Sequence, residues 1–216
     1  MNVSFRPQNI PPEERPIQII LASQSIGRKT LLSKLGIPFR TTITQLNEDV
    51  IVDKDPVKMI KKRAIAKADE LIKNPRMYNL PQEGRVLIIA ADSMAVLGTK
   101  TFGKTHDKEE TKIMLRALMD KTHIFVTSVK VALLMNGVPK KTWESVSKTK
   151  VTMRKLTGPE LDSYVGRYDF SRFAAGYSIN EAPWDIIEKI DGSYTNVIGL
   201  PFEEILPILR KLEIIV

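Results

Sequence analysis

The stretch IILASQSIGRKTLL, Ile19 to Leu32, passes from an apolar run through small polar residues straight into a helix start that carries two cations. The apolar run suits a buried strand, and Ser25 ahead of Arg28-Lys29-Thr30-Leu31-Leu32 suits a capped helix. Where a chain turns from strand to helix in this way, serine hydroxyls, free backbone N–H groups and the positive end of the helix dipole converge, and Arg28 and Lys29 add full charges. The guest expected there is a phosphate-bearing anion. The plain alternative is a serine N-cap with a solvated basic first turn.

Outward from this stretch the pattern is strand, helix, strand: Ile17 to Ala22, a helix to about Leu35 closed by Gly36, then Pro38 to about Ile43. Residues 1–16, rich in proline and charge, read as a loosely ordered extension, and 17–216 as one folded unit. Asp55-Pro56 opens a long helix with Met59, Ile60, Ala64, Ala68, Leu71 and Ile72 at helical spacing, which places Lys67 on its less apolar side; Asn74-Pro75 ends it. Arg85 to Ala91 is continuously apolar after its first residue, as for a strand buried on both faces, and delivers Asp92 to its end. A helix follows from about Lys108 to Leu118. Residues 122–135 and 138–153 form a long hairpin turning at Asn136-Gly137. A helix from Pro159 to about Tyr168, a short strand near Ile186 to Ile190 and a closing helix from Phe202 to about Leu212 complete a mixed α/β arrangement.

Composition narrows the chemistry. With 216 residues and 43% hydrophobic content the chain can bury a sizeable core. It has no cysteine and only His106 and His123 as imidazoles, which excludes thiolate chemistry and disfavours a serine–histidine triad or a histidine-rich metal site. A catalytic base is therefore expected to be a carboxylate. The net charge of +8 favours anionic partners, but the basic residues are dispersed and aromatics are sparse, so nucleic acid is not expected. No apolar run is long enough to span a bilayer and no secretory signal is visible, so the expected setting is cytoplasmic, without a membrane.

Several further segments can carry chemistry. Asp92, beyond a buried strand, can bind a metal or take a proton from water, or simply cap a turn. Gly103-Lys104 offers close backbone approach and a point charge for phosphate. Glu48 and Lys67 would attract no notice alone. In Asp191 to Pro201, Asn196 and the backbone around Gly199 can line a cleft or form only a well-built turn.

Taken together and in order, these segments resemble the Maf family of nucleoside triphosphate pyrophosphatases from about Ile19 to the last helix. Leu21-Ala22-Ser23-Gln24-Ser25 with Arg28-Lys29 resembles the family's opening serine–arginine motif, Glu48 its glutamate, Ala66-Lys67-Ala68 its helix lysine, Ala91-Asp92-Ser93 its aspartate segment and Gly103-Lys104 its second lysine. Tyr177-Ser178-Ile179 and Gly192 to Pro201 resemble its C-terminal signature. The resemblance implies a two-lobed, inosine triphosphatase-like α/β fold with a mixed central sheet flanked by helices and a nucleotide cleft between the lobes. It also implies a homodimer, and hydrolysis of a nucleoside triphosphate between its α- and β-phosphates with a divalent cation, Mg²⁺ or Mn²⁺. Ser23, Ser25, Arg28, Lys29, Lys67 and Lys104 would hold the triphosphate; Asp92 would be the general base and, with Glu48, a metal ligand.

The chain also departs from that pattern. Ile26 and Gly27 stand where the family usually has proline and a first arginine, and Phe173-Ala174-Ala175-Gly176 replaces its lysine–alanine–glycine run. Asn180 stands for glutamine, and Thr105 for the proline after the second lysine. Gly27, Ser93 and Asn180 fall at positions associated with substrate choice; Ser93 leans towards a dTTP/UTP preference over 7-methyl-GTP, while Asn180 suggests shifted or relaxed base selectivity. The missing cations at Gly27 and Phe173 leave a second reading, a catalytically weak nucleotide-binding regulator of division or septation.

Overall fold

Four consecutive buried residues, Ile19 to Ala22, make β1 (Gln18–Ala22) the centre of the first lobe, in a computed structural model that describes residues 11–180 and 186–216. β1 pairs in parallel with β2 (Phe39–Thr42) on one side and with β3 (Arg85–Leu97) on the other. The connections are α1 (Ile26–Ser33) and α2 (Pro56–Lys73). Strand side chains alternate in direction, so Ile19 and Leu21 pack with Leu31 and Leu32 of α1, while Ile20 and Ala22 pack with Ala68 and Leu71 of α2. The Asp55 side chain accepts the Val57 and Lys58 amides at the start of α2, and Pro56 presets its first turn.

β5 (Thr122–Met135) and β6 (Val138–Met153) form the expected hairpin, with Asn136 and Gly137 at φ 49° and 76°, as a two-residue turn of this hand requires. β3 pairs antiparallel with β5 and with a short β4 (Lys100–Phe102), and β7 (Ile187–Asp191) lies beyond β6. The result is a mixed seven-stranded sheet in the order β2-β1-β3-β5-β6-β7, with β4 alongside β3. β3, β5 and β6 run through both lobes. Their far halves, with Ala95, Phe125, Val151 and Met153, are covered by α3 (Lys108–Leu118) and α4 (Gly158–Arg167) in a second core. α5 (Tyr194–Ile198) and α6 (Phe202–Lys211) return the chain to the first lobe.

Two expectations are corrected. Asp92 is not at a strand end: β3 continues to Leu97, with Asp92 opposite Ser128 of β5, because the polar pair Asp92-Ser93 finds buried partners and Met94 to Leu97 resume strand character. Lys67 is not on the polar side of α2 but 6% exposed on its buried face. Residues 194–198, within the segment read as a cleft lining or a well-built turn, form a short helix. Residues 1–10 of the extension lie outside the described residues; Arg85 donates to the Arg15 carbonyl at 3.0 Å. Among the described residues no helix is long and apolar enough to cross a membrane.

Two packing details generate predictions. A Cβ on Gly27 would stand 2.8 Å from the Ile198 carbonyl oxygen, so α1 and α5 meet only because residue 27 has no side chain. Gly27→Ala should lower stability by about 1 kcal/mol or more despite alanine's better helix propensity, since overpacking costs roughly 1–3 kcal/mol; denaturant unfolding that finds the variant more stable would refute the close approach. His123 is fully buried, its Nε2 2.8 Å from the Tyr177 hydroxyl, and burial pushes its pKa down to about 4. It stays neutral in the fold, whereas the unfolded chain takes up a proton near pH 6.5, so the native state loses about 3 kcal/mol between pH 6.5 and 4. The stability difference between wild type and His123→Asn, followed by urea unfolding, should shrink across that window; a pH-independent difference would mean that His123 does not titrate this way.

Candidate active site

Where the two lobes meet, a cleft of about 920 Å³ opens over the middle of β3. A phosphorylated nucleoside fits a volume of this order. One wall comes from α1, α2 and the 3-10 turn Glu48–Val50, and the other from Gly103 to His106 and Ser171 to Asn180.

Lys67 stands at the floor. Its ammonium donates to Asp92 Oδ1 at 2.9 Å, to Glu48 Oε2 at 2.6 Å and to the Ala91 carbonyl at 3.3 Å, which uses all three of its protons. Asp92 is 6% exposed, and its Oδ2 is buried without a hydrogen-bond partner among the described residues. One carboxylate oxygen is thus held by the lysine while the other has its lone pairs free.

Arg28 is fixed from three sides. Nε donates to the Gly199 carbonyl at 2.8 Å, Nη1 to Ser23 Oγ at 3.0 Å and Nη2 to Ser93 Oγ at 2.8 Å, with Ser93 in turn 2.9 Å from Thr127 Oγ1. Burial pushes the Arg28 pKa down while Asp92 and Glu48 pull it up; a guanidinium keeps its proton throughout. Ser25 caps α1, accepting the Arg28 amide at 3.4 Å. Ser23 holds Arg28 and the Ser25 amide and is not part of the cleft lining; Lys29 is exposed and also outside it.

Lys104 lines the cleft within reach of solvent, and partial burial there lowers its pKa, helped by the charges of Arg28 and Lys67 and opposed by Glu48 and Asp92. Arg63 and Arg172, which sequence reasoning missed, line the same cleft. Arg63 sits one turn before Lys67 and therefore on the same face of α2, a spacing that was readable once Lys67 was placed. The cations facing the cleft outnumber its carboxylates, five to three.

The far wall is apolar and aromatic, with Phe125, Phe173, Tyr177, Ile179 and Val197. Asn180 lines it too, its Oδ1 accepting from the Tyr194 hydroxyl at 3.3 Å, and Gly27 and Ser93 border the cleft. Gly199 lines the cleft but Asn196 does not: fully buried, it donates to the Phe125 carbonyl and to Thr149 Oγ1 and so pins α5 to the sheet.

The residues present fit a hard divalent cation. Glu48 and Asp92 supply carboxylate oxygens, and the orphaned Oδ2 of Asp92 has room for a ligand. No group of three histidine, aspartate or glutamate side chains occurs among the described residues, so most of an octahedral shell would come from water and phosphate.

Comparison with known proteins places this geometry in context. A family model described as Maf-like protein matches residues 18–212. A dTTP/UTP pyrophosphatase from Treponema denticola is 34% identical over 205 residues, covering 91% of this chain and 97% of that protein. One from Pyrococcus furiosus is 34% identical over 193 residues, covering 89% and 94%. A solved HAM1 protein from Coxiella burnetii overlaps 92% of this chain and 99% of its own at 18% identity, with a TM-score of 0.39, a loose likeness. With the family model spanning nearly the whole chain and relatives above 30% identity along its length, the chain belongs to the Maf-like family.

Proposed function

We propose that this protein hydrolyses nucleoside triphosphates to the monophosphate and pyrophosphate, acting on dTTP- and UTP-like or modified nucleotides in nucleotide-pool house-cleaning. The observation that carries the reading is Lys67 clamped between Glu48 and Asp92 on the cleft floor, with Asp92 Oδ2 unpartnered. The names of the relatives support the same substrate class. As part of this reading the protein is a cytoplasmic homodimer, and nucleic acid is not a partner.

Asp92 acts as the general base. Its free Oδ2 takes a proton from the water that attacks the α-phosphorus, while Lys67 keeps Oδ1 oriented and the cleft's other cations offset charge gathering on the phosphate oxygens. Arg28, held by Ser23, Ser93 and the Gly199 carbonyl, presents a fixed guanidinium, and Ser25 and the first amides of α1 add donors. Lys104 supplies charge from the opposite wall. Glu48 and Asp92 would hold Mg²⁺ or Mn²⁺, which when bound neutralises phosphate oxygens and lowers the pKa of a bound water. The base lies against Phe125, Phe173 and Tyr177, where Asn180, its Oδ1 engaged by Tyr194, offers its amide hydrogens to the carbonyl edge that uracil and thymine share.

Asp92→Asn should keep the fold and lower pyrophosphate release by 10²–10⁴, the usual worth of a general base. A variant with normal thermal unfolding that retains more than about a tenth of the rate would remove Asp92 from that role. If the wild type binds nucleotide but releases no pyrophosphate from any common or modified triphosphate, the regulatory reading replaces the enzymatic one.

Lys104 gives a pH signature. With its pKa below the ordinary 10.5, it loses charge earlier than a free lysine as pH rises, so triphosphate affinity should weaken on the alkaline side below pH 10.5. In Lys104→Arg the charge persists and calorimetric affinity should stay flat over the same range; parallel profiles for the two proteins would show that Lys104 is not a phosphate ligand.

A further inference from the structure

Four cations are buried among the described residues, Arg28, Arg63, Lys67 and Lys130, and they divide into two kinds. Each lysine has carboxylate partners: Lys67 has Glu48 and Asp92, and Lys130 has Asp69 at 2.7 Å with Glu144 at 3.9 Å. Neither arginine has a carboxylate within salt-bridge distance among the described residues, and both line the cleft. A buried cation without a counter-charge is destabilising, and a guanidinium cannot escape that cost by losing its proton. Arg28 has two serine hydroxyls and a carbonyl in place of an anion. Arg63, 9% exposed, has less: Nε donates to the Ile51 carbonyl at 3.1 Å, and no partner among the described residues takes its two terminal nitrogens.

We propose that Arg63 is a further substrate-binding residue, and that its missing counter-charge is the outer part of the triphosphate that leaves as pyrophosphate. The proposal rests on the pyrophosphatase reading above. The aromatic wall that suits a base belongs to the second lobe and α5, whereas Arg63, Lys67 and Glu48 belong to α2 and the turn before it. A nucleotide lying across the cleft points its phosphate tail towards α2. Arg63 precedes Lys67 by one turn on the same face, about 6 Å along the axis, roughly the span of the two phosphates that follow the α-phosphate attended by Asp92 and Lys67. Its Nε anchor on Ile51 fixes the guanidinium plane and leaves a two-nitrogen fork for phosphate oxygens.

The test is calorimetric binding of inorganic pyrophosphate and of UMP, each with Mg²⁺, to wild type, Arg63→Leu and Arg63→Lys, with thermal unfolding and wild-type turnover measured alongside. Leucine suits the helix face and removes the charge. Arg63→Leu should weaken pyrophosphate binding at least tenfold and leave UMP binding within twofold, with Arg63→Lys between the two. Unchanged pyrophosphate affinity in a wild-type background that turns over would overturn the role of Arg63 alone. Equal loss for both products would overturn it too, assigning Arg63 to support of the Ile51 backbone. A wild type that releases no pyrophosphate from any triphosphate would overturn the pyrophosphatase reading and the inference with it.

Discussion

The bridge that Lys67 makes between Glu48 and Asp92 joins three pieces distant in sequence, the turn after β2, the middle of α2 and the middle of β3. Lys67 and Asp92 are buried and compensate each other, while Glu48 closes the bridge from the half-exposed rim. Removing Lys67 would leave Asp92 as an uncompensated buried charge, which costs about 3–5 kcal/mol, whereas Lys67 keeps Glu48 when Asp92 is neutralised. The same bridge sets the chemistry. Because Lys67 spends its three protons on Oδ1, Oε2 and the Ala91 carbonyl, Asp92 keeps one oxygen with free lone pairs at the point where the lobes meet.

A second constraint comes from α5. The Ile198 carbonyl occupies the place where any side chain on residue 27 would begin, so the cation that the family usually carries there has no room in this chain. That close approach also brings the Gly199 carbonyl within 2.8 Å of Arg28 Nε and so fixes the arginine that remains. Gly27 is therefore not an empty half of a pair: one cation is absent, and the space goes to the approach of α5 that anchors Arg28. The cleft keeps a positive balance through Arg63 and Arg172, which lie elsewhere in the sequence.

Much of this was legible in the residues. Asp55-Pro56 and Asn74-Pro75 bracket α2, Asn136-Gly137 places the hairpin turn, and the apolar run after Arg85 marks β3, because each is a local signal that tertiary context did not need to override. What escaped was decided by partners far away. Asp92-Ser93 looks like a strand end until Lys67 and Thr127 supply the buried bonds that let β3 continue. Lys67 looks solvated because charge places a residue on a helix's outer face unless another element brings it a carboxylate. Ala175 shows the limit most plainly: it is fully buried at φ 65°, a conformation alanine disfavours by about 1–2 kcal/mol, held there by the hydrogen bond its N–H donates to the Gly103 carbonyl and by packing that no local pattern announces.

The choice of cation follows from how each responds to a dry site. A lysine ammonium deep in the fold sheds its proton readily unless a carboxylate stabilises it, and both buried lysines have one. A guanidinium keeps its charge at any pH the protein meets, so it alone can remain positive in a buried position that waits for an anion. Lys104, unpaired like the arginines, stays where solvent reaches it, and its pKa still falls. Net charge of +8 spread along the chain would draw anions to the surface without choosing a place for them. Two buried arginines without carboxylates among the described residues, facing one cleft beside a carboxylate with a free oxygen, supply that choice, because there an incoming phosphate satisfies charges those residues leave unmatched.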